Sequence, residues 1–207
     1  LVRGPARPGP WKTAEDLELA TLGWVHWHNT QRLHGYLGDI PPEEHTIATL
    51  HNAKTLLDAG FTSAYSAARA KLRLDVVVRN EVDSGRSPGP RIRAASPEIT
   101  VTGGLGDENR QHMQRDSFGI VADGPEAIAR AVRTCIREGV DNIKLNISGD
   151  DFVPAKGGMT VMREEEVRIA CEVAHDFGRR VASHSRASNA VKRAVQQLEK
   201  LAHARIK

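Results

Sequence analysis

The sequence has few cysteines, no long apolar run and no targeting segment at its start. Its two cysteines, Cys135 and Cys171, form neither a C-x-x-C pair nor a metal-ligand spacing, which excludes a cysteine-based metal centre. No run of 18 apolar residues is present, which excludes a membrane-spanning helix. The chain does not open with a basic stretch followed by an apolar one, so no secretory signal is expected. We therefore predict a cytoplasmic protein with both thiols reduced and buried.

Aromatic residues make up only 4% of the chain, and their distribution is uneven. All three tryptophans lie in the first 27 residues, and all four phenylalanines lie after residue 60. Residues 1–44 carry 4 Lys/Arg and 6 Asp/Glu, a net charge of −2, whereas residues 45–207 carry 25 and 20, a net charge of +5. The sum of +3 is far from the basic footprint of a nucleic-acid-binding protein. The change in composition predicts two segments, 1–44 and 45–207, that meet at a pair of prolines.

The second segment alternates between helical and extended patterns, which predicts an α/β fold with a parallel sheet. Helices are expected over about 47–59, 74–84, 125–138, 164–177 and 189–204, and strands over 61–67, 91–101, 142–148 and 180–185. Glycine follows four of these helices, as the position after a helix end favours. The glycine-rich sequence at 102–106 is interpreted as a strand-to-helix loop. In the first segment, a helix is expected to begin after Thr13.

Two polar side chains have the same phase in neighbouring predicted strands. In the third strand, Ile143, Leu145 and Ile147 alternate with Lys144, Asn146 and Ser148, so these polar residues lie on the opposite face, which points inwards in a barrel. His184 ends the fourth strand, and the carboxyl ends of the strands form the active face of a β/α barrel. An inward lysine can be carboxylated to bridge two metal ions, and imidazole is a natural zinc ligand. The pattern alone leaves open a surface lysine and a histidine that is merely hydrogen-bonded.

The first segment contains GPWKTAEDLELATL from residue 9, WVHW from residue 24, NTQRLHGYLG from residue 29 and IPP from residue 40. This sequence resembles the C-terminal end of insertion-sequence transposases of the retroviral-integrase type. The resemblance implies a remnant of a strand-transfer enzyme over residues 1–44. The catalytic acidic triad of that family lies upstream of the matching stretch and cannot be placed in this sequence.

The second segment contains LLDAGFTS from residue 56, SPGPR from residue 87, TGG from residue 102, IKL from residue 143 and GRRVASH from residue 178. Over about 46–195 it resembles the amidohydrolase superfamily, in the imidazolonepropionase-like and Xaa-Pro dipeptidase-like branch. The resemblance implies a partial (β/α)8 barrel containing strands two to five, with Lys144 and His184 as metal ligands. The family's His-x-His pair, its strand-six His and its strand-eight Asp have no counterpart in this sequence.

The resemblance implies one or two divalent ions, zinc above all, and metal-assisted hydrolysis of a C–N bond in a small amide, cyclic amide or dipeptide. Two protein ligands are fewer than a catalytic zinc site needs, so we expect the chain to hydrolyse nothing efficiently. A half barrel also leaves sheet edges that favour self-association. The alternatives are a DNA-transposition fragment and a fusion product without a function.

Overall fold

The computed structural model describes residues 42–69, 73–109, 112, 117–149 and 158–204. The predicted helix after Thr13 therefore lies outside the described residues. Within the described ranges the chain forms five helices: α1 (Pro42–Asp58), α2 (Leu74–Asp83), α3 (Pro125–Arg137), α4 (Glu164–Asp176) and α5 (Ser188–Ala204). The five predicted helices are confirmed, but α1 starts about five residues early. Proline suits the first position of a helix, because a backbone N–H at that position would have no hydrogen-bond partner within the helix.

Glycines end four of these helices, as the sequence predicts. The residues just past α1, α2, α3 and α4 include Gly60, Gly85, Gly139 and Gly178, and all four have positive φ angles. A residue with this backbone conformation closes a helix and is most easily a glycine. These glycines mark where each of the four helices ends.

In the part of the chain that the structure describes, six strands form two parallel sheets. The strands are β1 (Ser63–Tyr65), β2 (Arg91–Arg93), β3 (Ala95–Thr100), β4 (Gly119–Val121), β5 (Asn142–Asn146) and β6 (Arg180–His184). β1 pairs with β2, and a four-stranded sheet has the order β4-β3-β5-β6. Every strand pair is parallel, which confirms the α/β class and the expected parallel sheet.

The predicted strand over 91–101 is wrong as a single element, because it is divided at Ala94. The Ala94 N–H donates to the Asp141 carboxylate at 2.8 Å, and the Ala94 carbonyl accepts from Asp141 N at 2.8 Å. These bonds attach the chain to the turn before β5 and separate β2 from β3. As a result β1 lies in a sheet with β2, and an isolated bridge between Arg69 and Pro97 joins this region to β3.

The sequence analysis also missed β4, which lies between the glycine-rich loop at 102–106 and the helix predicted from residue 125. β4 has only three residues, and it pairs along Glu98–Thr100 of β3. Three residues are too few to show an alternating pattern. The consequence for the site is that β4 occupies the outer edge of the four-stranded sheet beside β3.

The hydrophobic core lies between the four-stranded sheet and the helices α3 and α4. Ile99, Ile143 and Leu145 are fully buried on the helix-facing side, against α3 and α4. Both cysteines are buried in this layer as predicted, and burial raises the pKa of each thiol to about 11. In the part of the chain that the structure describes, no helix is long and apolar enough to cross a membrane.

Two buried side chains attach helix starts to their surroundings. The Glu166 carboxylate accepts from Gly124 N at 2.8 Å and from Arg163 N at 2.7 Å, so it joins the amino ends of α3 and α4. Ser148 Oγ accepts from Arg186 N at 2.7 Å just before α5. Unpaired amide groups at helix starts need such acceptors. The helices therefore have fixed positions relative to the ends of the strands.

Candidate functional site

The face of the four-stranded sheet opposite the helices is polar and carries both predicted site residues. The pairing of β5 with β6 places Lys144 beside Ala182 and Asn146 beside His184. Because residues two apart in a strand share a face, Lys144 and His184 lie on the same face of neighbouring strands. His184 ends β6 beside Asn146 at the carboxyl end of β5, and Lys144 lies two residues before that end. The structure thus brings the two together on one face, and their metal-ligand role stays a prediction.

Lys144 is held in the sheet by an irregular pairing of β3. The register between β3 and β5 shifts between Ala95 and Glu98, and Ser96 Oγ accepts the Lys144 backbone N–H at 2.9 Å. Pro97 has no N–H, so this stretch of β3 cannot form a regular ladder. Bulges of this kind often re-aim side chains beside functional sites. The irregularity lies directly opposite Lys144.

The Lys144 side chain is buried without a carboxylate partner. Lys144 is 8% exposed, and no ion pair in the described ranges includes its Nζ, although Glu98 is its register partner on β3. Most of this side chain is therefore removed from water. Carboxylation of its amine would replace the cation with an anionic group.

Asn146 connects this face to the loop that follows β3. Its Nδ2 donates to Glu98 Oε2 at 2.7 Å and to the Leu105 carbonyl at 2.9 Å. The loop approaches the face closely. A Cβ built on Gly106 would lie 3.1 Å from Glu98 Oε2, and one on Gly104 would collide with Thr100 Oγ1. The glycine-rich loop therefore covers the carboxyl end of β3 and β5, and glycine is what permits this approach.

Among the described residues, three oxygen atoms on this face are buried without a hydrogen-bond partner. Asn142 Oδ1 lies at the amino end of β5, and Thr100 Oγ1 and Asn146 Oδ1 lie at the carboxyl ends of β3 and β5. Buried polar atoms without partners are uncommon in folded proteins. The face thus presents acceptor oxygens together with one carboxylate, one imidazole and one lysine. Among the residues that the structure describes, no group of three or more His, Cys, Asp or Glu is arranged to hold a metal.

A cleft of about 320 Å³ opens beside this face, lined by Ala68, Arg69, Glu98 and Phe118. The cleft is also lined by the buried Arg69, and desolvation lowers the pKa of its guanidinium. Glu98 is the lining residue that also belongs to the polar face.

The sequence analysis assigned no role to Glu98 and Asn146. Asn146 was placed on the inward face by alternation, but an asparagine in a strand carries no functional signal alone. Glu98 lies in the predicted strand over 91–101, where the irregular pairing at Ser96 disturbs the alternation that would have revealed its face. The one available signal was a charged residue in an otherwise buried strand.

Comparisons with known proteins support a two-part origin. No protein-family model matches the chain. A short N-terminal stretch is 56% identical over 39 residues to the transposase for insertion sequence element IS986/IS6110 of Mycobacterium tuberculosis, covering 18% of this chain and 14% of that protein. The transposase for element IS629 of Shigella sonnei is 53% identical over 34 residues, covering 16% and 12%. The predicted resemblance of the N-terminal stretch to transposases is confirmed.

Several of the solved structures that the chain resembles are hydrolases. A Xaa-Pro dipeptidase with methionine in its active site superposes with a TM-score of 0.67 at 28% identity, covering 75% of this chain and 39% of that one. The chain resembles an amidohydrolase. A protein described as an amidohydrolase gives a TM-score of 0.67 at 27% identity, covering 76% and 40%. A prolidase complexed with N-methylphosphonate-L-proline gives 0.68 at 26%, covering 82% and 44%.

The resemblance to amidohydrolase- and prolidase-type enzymes is thus confirmed. The chain spans less than half the length of these enzymes and about one seventh of the transposase. The activities of these proteins are therefore only proposals for this chain.

Proposed function

We propose that residues 45–207 form part of the (β/α)8 barrel of a metal-dependent amidohydrolase, and that residues 1–44 derive from a transposase. In this assignment β1 is barrel strand two, β2 and β3 together are strand three, β5 is strand four and β6 is strand five. The observation that carries the proposal is the placement of Lys144 and His184 on one polar face of adjacent parallel strands. Structural relatives that are prolidases and amidohydrolases support it.

In this proposal Lys144 and His184 are metal ligands. The residues fit a divalent metal, zinc in the first instance, for two reasons. Lys144 is buried without an acidic partner, and two buried oxygens nearby lack donors. Carboxylation would convert the Lys144 amine into an anionic oxygen ligand, while the neutral imidazole of His184 would supply a nitrogen ligand. One or two ions are consistent with these ligand types.

The proposed reaction is hydrolysis of a C–N bond in a small amide, a cyclic amide or a dipeptide. A bound divalent metal supplies a Lewis acid that polarises a carbonyl group. The chain's own contribution is to hold the ligands on a rigid sheet and to cover the strand ends with the loop that contains Gly104 and Gly106. Because the sequence offers no counterpart of the family's general-base aspartate, we expect no efficient turnover by this chain alone.

The experiment measures metal uptake and hydrolysis together. The purified chain is depleted of metal, supplied with Zn²⁺ and bicarbonate, and analysed for bound zinc by mass spectrometry. The expected result is zinc uptake that falls in Lys144→Ala and His184→Ala, with background rates on Xaa-Pro dipeptides, lactams and simple amides. Uptake that is indifferent to both substitutions would refute the ligand assignment. Efficient turnover abolished by either substitution would refute the expected inactivity.

A second function is favoured by one observation, the 56% identity to a transposase over 39 residues. We propose it as the alternative: a DNA-transposition fragment whose tryptophan-rich segment is a docking element. The net charge of −2 over residues 1–44 opposes direct phosphate binding by that segment. A gel-shift titration with terminal inverted-repeat DNA tests the alternative. Salt-sensitive binding that is lost when residues 1–44 are removed would favour it over the hydrolase origin.

A further inference from the structure

The polar face of the sheet contains two rows of side chains. Glu98, Lys144 and Ala182 share one level across β3, β5 and β6. Two residues further along, Asn146 and His184 share the next level, and Thr100 continues the register of β3 on the same face. The row nearer the carboxyl ends therefore contains a hydroxyl, an amide and an imidazole. The row beneath it contains a carboxylate and a lysine.

The orientation of the Asn146 amide is determined by its partners. The two groups it contacts, the Glu98 carboxylate and the Leu105 carbonyl, are both acceptors, at 2.7 and 2.9 Å. The nitrogen must therefore face them, and exchanging the nitrogen and oxygen would replace two hydrogen bonds with two repulsions. Asn146 Oδ1 is consequently the atom that is buried without a partner.

Acceptor oxygens on this face remain without a donor. Asn146 Oδ1 and Thr100 Oγ1 receive no hydrogen bond, and Glu98 has no ion pair with its register partner Lys144 in the described part of the chain. Unsatisfied buried acceptors beside a carboxylate form an environment suited to a cation. Carboxylate and amide oxygens suit hard divalent ions such as Mn²⁺, and an added imidazole extends the choice to Zn²⁺.

We propose that Glu98 and Asn146, through a carboxylate oxygen and Oδ1, are two further metal ligands of this chain. The inference rests on the proposed function, because Lys144 and His184 complete the same set. The four residues bring the number of protein ligands into the range of three to four that metal sites require. The Asn146 Nδ2 bond orients Glu98, and its bond to Leu105 attaches the covering loop to the same site. Metal binding therefore stiffens the loop as well as the sheet.

The experiment measures binding of Mn²⁺ and Zn²⁺ to the metal-depleted full chain by titration calorimetry and by metal analysis after dialysis. Wild type is expected to bind about one equivalent. Glu98→Gln keeps the shape of the side chain and removes its charge, and it should weaken binding at least ten-fold, since even outer-shell partners change metal affinity by about 10–100-fold. Glu126→Gln, on the exposed side of α3, is the matched control and should leave affinity within about two-fold.

Asn146→Asp gives a signature that a purely structural role would not produce. Without metal, the new carboxylate faces Glu98 and the Leu105 carbonyl, so the melting temperature should fall. With metal it remains an oxygen ligand and gains charge, so the rise in melting temperature on adding Mn²⁺ should exceed that of wild type. An unchanged metal-induced rise would overturn the role of Asn146.

The pattern of variants separates this proposal from the proposed function. If Lys144→Ala and His184→Ala lose metal while Glu98→Gln and Asn146→Asp bind like wild type, the present inference is wrong and the family-type ligands stand. If only the Glu98 and Asn146 variants lose metal, the assignment of Lys144 and His184 as ligands is wrong and the present inference stands. If wild type binds no metal, both metal assignments fail.

Discussion

Replacing the buried Arg69 with methionine should stabilise the protein. Arg69 is 6% exposed, and all three nitrogens of its guanidinium are buried without a hydrogen-bond partner among the described residues. Burial lowers the pKa of this arginine, which shows that the charged form is disfavoured where it lies. Methionine retains the apolar stem and removes the charge and the unsatisfied donors.

The expected change in the free energy of unfolding is the difference between the costs that the substitution removes and the attraction that it loses. A buried donor without a partner costs about 1–3 kcal/mol, and replacing buried charge with apolar side chains stabilises other proteins by about 1–4 kcal/mol. The attraction of Arg69 to Asp75 and Glu138, which opposes the pKa shift, is lost in the variant. We expect a net gain of about 1–3 kcal/mol, or about 2–12 °C in melting temperature for a domain of this size.

Arg79→Met is the matched control, with the opposite expected sign. Arg79 NH1 donates to Asp141 Oδ2 at 2.7 Å and to the Gly139 carbonyl at 3.0 Å. The side chains of Arg79 and Asp141 are 16% and 14% exposed. Losing this bond leaves Asp141 with a weaker contact to Arg179, at 3.7 Å. We expect a loss of about 1–3 kcal/mol, because hydrogen bonds to charged groups contribute about that much.

The assay is urea unfolding followed by circular dichroism, with wild type and both variants measured in the same buffer. Equal slopes of the unfolding transitions would show that only stability has changed. A loss of more than about 1 kcal/mol in Arg69→Met would refute the reasoning, because it would require a partner that holds the guanidinium. Equal changes in the free energy of unfolding for Arg69→Met and Arg79→Met would show that the hydrogen bonds of the guanidinium do not determine the effect on stability.

Three further predictions concern buried groups. Glu166→Ala removes the acceptor shared by the starts of α3 and α4, and should lower the free energy of unfolding by about 3 kcal/mol in urea melts. Ser148→Ala removes the acceptor before α5 and should cost about 1 kcal/mol, with amide exchange fastest at the start of that helix. Cys135 and Cys171, with pKa values raised to about 11 by burial, should resist iodoacetamide at pH 8 until urea is added. Because their folded pKa values exceed the unfolded ones, their contribution to stability is present below about pH 9 and lost as the pH rises towards 11.

Sequence patterns predicted the parts of this fold that depend on local chemistry. The helices ended where glycine follows an amphipathic run, and alternation placed Lys144 and Asn146 on the same face. The division at Ala94 could not be predicted, because it depends on hydrogen bonds to Asp141, 47 residues away in sequence. For the same reason Glu98 was missed: its relation to Asn146 exists only once β3 and β5 have paired.

For the candidate site, the alternation within each strand predicted only the face of the sheet on which each residue lies. Lys144 and His184 could be assigned to one surface from their spacing within two strands. Whether each finds a partner depends on which side chains the neighbouring strand presents, and a shift of register changes that. The irregular pairing at Ser96 is such a shift, and the pattern of β3 gave no sign of it.

The order of the strands has a consequence for how the chain is made. β5 pairs with β3 and β6 pairs with β5, so each of these strands joins one that precedes it in the sequence. During synthesis every new strand therefore emerges after the strand with which it pairs: β4 joins one side of β3, and β5 and then β6 are added on the other side. In the described part of the chain, β6 is the last strand added and lies at an edge of the sheet. A pause in translation after β6 would leave that edge available to whatever polypeptide arrives next.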